Sequence, residues 1–83
     1  MKKAIINPEI KEQIFTMYRN IRCLREKNNL TTKQLAEIME ISEKKLIISE
    51  NCKEIGCFNS KHLRNACLYF NVSADDLFKK NLH

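Results

Sequence analysis

Residues 31–51 read TTKQLAEIMEISEKKLIISEN, and the way this stretch folds decides the rest of the chain. Leu35, Ile38 and Met39 recur at helical spacing, and Ala36 is small enough to admit a close neighbour. Thr31 stands before them as a side chain that accepts the first unpaired amides of a helix. Ser42 repeats that signal and opens a second helix running to about Asn51. Only Glu40 and Ile41 lie between the two segments, so the pair meets at a tight corner.

Upstream, Ile10, Ile14, Met17, Ile21 and Leu24 recur at steps of 4, 3, 4 and 3. They form one stripe along a helix of about five turns that starts at Pro8 and ends near Asn28 and Asn29. Downstream, CKEIGCFN (residues 52–59) is a loop holding the chain's one glycine, Gly56. Asn59 or Ser60 begins a fourth helix with Leu63, Ala66, Cys67 and Phe70 inward. Ser73 caps a short fifth, ADDLFKK, with aspartates first and lysines last, as the helix dipole favours. One glycine and one proline in 83 residues argue against hairpins. The expected fold is all-α, a five-helix bundle in a single domain over residues 1–83. Within it, residues 1–7 are expected to be flexible, 8–18 form an amino-terminal extension of helix one, and 19–78 form the core.

No apolar run approaches the roughly 20 residues of a membrane span, and MKKAII at residues 1–6 is too short for a secretory signal core. A cytoplasmic protein with no membrane partner is expected. Without an export signal, Cys23, Cys52, Cys57 and Cys67 are expected as thiols rather than a disulfide framework. Cys52, Cys57, His62 and Cys67 fall at five-residue intervals. None has the short spacing of structural zinc sites, so no metal or cofactor is expected. No Ser–His–Asp, metal-hydrolase or phosphate-loop pattern occurs, and the expectation is that the chain is not an enzyme. The net charge of +5 favours anionic partners. Its distribution matters more. Lys2, Lys3, Lys79 and Lys80 hold much of the excess, whereas residues 31–50 carry three lysines against four glutamates, a net −1.

From Arg19 to Phe78 the chain resembles the Xre/Cro-type phage-repressor helix-turn-helix family. The pieces that carry the likeness are NIRCLREKNNLT, KQLAEIMEIS, SENCK and LYFNVSADDLF, in the family's order and spacing. The resemblance implies a repressor-like bundle that lays its second helix across the DNA backbone and its third in the major groove, as a symmetric dimer on two half-sites. By position, Thr31 caps the second helix, and Thr32 takes the place of a backbone-contacting glutamine with a hydroxyl of shorter reach. Lys33 and Lys45 would add phosphate contacts. Ser42, Glu43, Lys44, Ile47 and Ile48 form the base-facing part of the third helix, and Lys53 follows it as a phosphate-contacting lysine. Lys61 and His62 offer another phosphate contact at the start of helix four. Arg25 and Glu50 align with the pair that ties helix one to the end of helix three, a structural salt bridge.

The chain departs from the family's pattern in two ways. The family favours glycine at four turns where this chain has Asn29, Glu40, Cys52 and Asn71. Asparagine takes the left-handed conformation cheaply. Glu40 and Cys52 cost about 1 kcal/mol each if that conformation persists, and the alternative is a corner of changed geometry. Ser49 stands where the family has a large apolar residue. Either helix three is rotated so that an isoleucine fills the gap, or Ile47 and Ile48 stay exposed, able to meet thymine methyls. Glu43 repels phosphates but can accept from a cytosine amino group.

The expected function is sequence-preferring binding of double-stranded DNA by a homodimeric transcriptional regulator of repressor type, with residues 42–51 as its recognition helix. An alternative from another class is a protein-interaction module on the same scaffold (an antirepressor, antitoxin-like partner or inhibitor) with an apolar Ile47/Ile48 surface as the contact for its protein partner.

Overall fold

The computed structural model describes residues 7–80 and contains five α-helices: α1 Pro8–Lys27, α2 Thr32–Met39, α3 Glu43–Glu50, α4 Ser60–Phe70 and α5 Ala74–Leu77. Among the described residues there is no strand. Of the segment expected to be flexible, residues 1–6 lie outside the described residues. Asn7 caps α1, its Oδ1 accepting from Glu9 N at 2.7 Å.

Each helix begins where a side chain takes up amides that the first turn leaves unpaired. Thr31 Oγ1 accepts from Gln34 N at 3.0 Å while Gln34 Oε1 accepts from Thr31 N at 2.9 Å, a reciprocal capping box. Ser42 Oγ accepts from Lys45 N at 3.2 Å. Asn59 Oδ1 accepts from His62 N at 2.9 Å, and His62 Nδ1 accepts in return from Asn59 N at 3.1 Å. Ser73 and Asp76 repeat the box at α5.

The ends of α1 to α4 share one geometry. Asn29, Glu40, Cys52 and Asn71 are all left-handed, with φ of 57°, 62°, 52° and 58°. The amide after each reaches back five residues: Leu30 to Arg25 O (3.0 Å), Ile41 to Ala36 O (2.9 Å), Lys53 to Ile48 O (3.2 Å) and Val72 to Cys67 O (3.1 Å). These are four Schellman-type closures, which satisfy carbonyls that a bare helix end leaves open. The left-handed corner therefore persists with glutamate in place of glycine, at about 1 kcal/mol. Contacts from α4 hold it there: Asn65 Nδ2 donates to Met39 O at 3.2 Å, and Lys61 Nζ pairs with Glu40 Oε1 at 3.2 Å.

The apolar stripes meet in one core. α2 packs on α3 and α4, α1 packs on α3 and α5, and α4 closes on α5. Met17, Tyr18 and Ile21 from α1 are buried with Leu35, Ala36 and Met39 from α2, Leu46 from α3, Ala66 from α4 and Leu77 from α5. Fully burying a large aliphatic side chain stabilises by about 1.5–3 kcal/mol. Truncating Leu46, the apolar anchor that α3 sinks fully into the core, would cost about 2–5 kcal/mol. Ile14 and Leu24 half-cover this core, but Ile10 is exposed at the free end of α1.

Two buried side chains make the ties of longest sequence separation among the described residues. Asn20 Nδ2 donates to Leu77 O at 2.7 Å and Lys79 O at 2.8 Å. The fifth helix stops at Leu77 instead of continuing through Lys80 as expected, because the Phe78 and Lys79 amides turn to carbonyls three residues back, Asp75 O at 3.1 Å and Asp76 O at 3.2 Å. The Tyr18 hydroxyl accepts from Cys57 N at 3.2 Å, and its ring meets Phe58 edge-on at 5.2 Å. Burial is the main cause that pushes the Tyr18 phenol up to about 12. No disulfide links the four cysteines. Among the described residues, no group of three or more His, Cys, Asp or Glu is placed to hold a metal, and no helix is long and apolar enough to cross a membrane.

Candidate nucleic-acid interface

The capped ends of α2 and α3 lie side by side. Thr32 Oγ1, in the first turn of α2, donates to Glu43 Oε2, in the first turn of α3, at 2.6 Å. That distance is typical of a hydroxyl on a carboxylate. Around this link Thr31, Lys33, Ser42, Glu43, Lys44 and Lys45 are exposed and Thr32 is half-buried. Two helix amino termini thus point their positive dipole ends toward one surface that also carries three lysines.

The outward side of α3 divides its two isoleucines. Ile47 is 41% exposed. Ile48, expected on the outward, base-facing side, is instead half-buried against the core. There the chain folds back, the Lys53 amide closing on the Ile48 carbonyl. The helix has not rotated to bring an isoleucine into the gap, because Ser49 keeps the inward place at 1% exposure. Its hydroxyl donates to Leu46 O at 2.7 Å, so the buried polar atom is satisfied.

Helix α3 is held from behind by charge. Arg25 Nε lies 2.7 Å from Glu50 Oε2 and Arg25 Nη2 lies 3.1 Å from Glu50 Oε1, while Nη1 donates to Leu30 O at 2.8 Å. The side chains are 14% and 8% exposed. This bidentate fork fixes α3 against α1 in both distance and angle.

Lys53 is exposed beyond α3, beside Lys11 of α1 in an open groove of about 540 Å³. Lys61 is also exposed, but its ammonium lies on Glu40. Exposed pairs of this kind contribute about 0–1 kcal/mol, so a phosphate can displace the carboxylate. The resemblance implies phosphate support from His62 beside Lys61. Its imidazole is instead held below its ordinary range by burial, then by the charges of Lys61 and Lys45. A neutral ring suits its place here, with Nδ1 accepting from Asn59 N. His62 closes the start of α4.

Three contributors are absent from the sequence reading. Gln34 was legible, since Thr31-x-x-Gln34 is the spacing of a capping box. Asn65 and the Thr32–Glu43 link join separate helices, and nothing in the local pattern announces either.

A helix-turn-helix domain family matches residues 18–82. No curated protein and no solved structure matches the chain. In DNA-binding helix-turn-helix domains a short helix enters the major groove while its predecessor crosses the backbone; α2 and α3 are the two helices on either side of the corner here. With its two capped helices, left-handed corner and four-fifths of its length inside that match, the chain belongs to the helix-turn-helix domain family.

Proposed function

We propose that the protein is a transcriptional regulator of repressor type that binds duplex DNA as a homodimer, with α3 in the major groove and α2 across the phosphate backbone. The single observation that carries this is the paired, exposed amino termini of α2 and α3, linked by Thr32 and Glu43 and flanked by Lys33, Lys44 and Lys45. Lys53 and Lys61 extend the cationic margin. In this reading phosphate contacts supply most of the affinity, and Glu43, Lys44 and Ile47 are the small set left to face bases. Occupying a site that overlaps a promoter would block polymerase sterically.

The test is fluorescence anisotropy with a random-sequence duplex at 50 and 200 mM salt. Release of counterions from several phosphates makes affinity fall by orders of magnitude over that range. Binding that ignores salt, or none at micromolar protein, would refute the proposal.

The exposed Ile47 beside an acid bonded within the chain favours a second reading, a protein-interaction module that docks a partner on α3. An Ile47→Glu substitution would abolish such docking.

A further inference from the structure

We infer that Glu43 is the base-discriminating residue of α3, accepting from the exocyclic amino group of a cytosine, and that Thr32 positions it; this rests on the DNA-binding reading above. Glu43 occupies the first turn of α3, where the positive end of the helix dipole stabilises a carboxylate. The side chain is exposed, and one of its oxygens is tethered to α2 by the Thr32 hydroxyl at 2.6 Å. A free glutamate samples many rotamers, so the tether removes entropy that recognition would otherwise lose. Oε1 has no hydrogen-bond partner among the described residues.

An ionised carboxylate can only accept hydrogen bonds. The donors on the major-groove edges are the amino groups of cytosine and adenine. Adenine sets its amino group beside the N7 acceptor, which repels a carboxylate, whereas cytosine offers the amino group without that neighbour. Cytosine is therefore the favoured base. Lys44, the next residue, is exposed and suited to the guanine O6 and N7 acceptors. Ile47 stands one helical turn after Glu43 and offers methyl contact to thymine. The same carboxylate opposes every phosphate near it, so it weakens binding to duplexes that offer no cytosine. Selectivity and non-specific affinity are set against each other by one side chain.

The experiment uses the full chain and anisotropy at fixed salt. Its probes are a random duplex, a duplex selected from a random pool, and variants of the selected duplex with each base pair replaced in turn. The wild type is expected to prefer one C·G pair per half-site by about fivefold to tenfold. Glu43→Gln should erase that preference and bind the random duplex several-fold tighter. Thr32→Val should weaken the preference at the same base pair without tightening on random duplex, and Thr32→Ser should restore it. A structural role alone moves neither base preference nor that contrast. Preserved duplex binding with no base pair sensitive to Glu43→Gln overturns the role of Glu43, and full discrimination in Thr32→Val overturns the positioning role of Thr32. Absence of salt-sensitive binding by the wild type overturns the DNA-binding reading itself, and this role with it.

Discussion

Replacing Arg25 by methionine isolates the charge that sets the pose of α3. Methionine keeps much of the aliphatic stem, so the lost interactions are electrostatic. They are the fork to Glu50 at 2.7 and 3.1 Å and the bond to Leu30 O at 2.8 Å. Glu50, 8% exposed, is then a carboxylate without its partner in a site shielded from water. Removing one member of a fully buried pair costs about 3–5 kcal/mol. The 14% exposure of Arg25 places this pair at the lower end, about 3 kcal/mol. A chain of 83 residues has roughly 4–12 kcal/mol in all, so the variant stands close to unfolding at ambient temperature. Urea titration followed by far-ultraviolet circular dichroism measures the loss. At a slope of about 1 kcal/mol per molar, the midpoint should fall by about 3 M. The double variant Arg25→Met/Glu50→Leu should recover most of it, because an apolar pair carries no stranded charge. A loss below about 1 kcal/mol, or a double variant no more stable than the single, would refute the reasoning.

Other expected outcomes follow from individual contacts. Glu40→Gly and Cys52→Gly relieve left-handed strain, and each should stabilise by about 1 kcal/mol, raising Tm by roughly 4–8 °C in a calorimetric scan. The Tyr18 phenol, raised to about 12 by burial, stays neutral in the fold while the unfolded chain ionises near 10. Its contribution is thus complete below pH 10 and is lost as pH climbs through 12; Tyr18→Phe should flatten that arm of a stability–pH profile. The same substitution strands the Cys57 amide and should cost about 1–3 kcal/mol at neutral pH, read by urea unfolding. Lys44→Ala should relax base preference, whereas Lys53→Ala should weaken matched and scrambled duplexes alike; equal effects in both assays would refute that division.

Local signals and tertiary ones differed in how far they could be read. Capping residues and apolar spacing marked the five helices to within a few residues, because hydroxyl, amide and periodic aliphatic side chains act within one or two turns. The left-handed positions at Asn29, Glu40, Cys52 and Asn71 came from the family resemblance rather than from a local signal. Whether a glutamate would hold such a turn was not legible, since Lys61 and Asn65 of α4 brace it from a distant part of the chain. Ile48 shows the same limit: a helical wheel turns it outward, while the fold of the chain after α3 half-covers it. The tie between α1 and the end of α5 rests on Asn20, 57 residues before the carbonyl it captures at Leu77. The Thr32–Glu43 link follows from the angle between α2 and α3, which no single segment encodes.

The most direct test of a DNA face at α2 and α3 is amide mapping by nuclear magnetic resonance, with a random duplex titrated into labelled protein. The expected shifts cluster at Thr31–Lys33, Ser42–Ile47, Lys53 and the start of α4 at Lys61, and fade as salt is raised. Shifts confined to the outer faces of α1 and α5, or a spectrum unchanged by duplex at low salt, would contradict it.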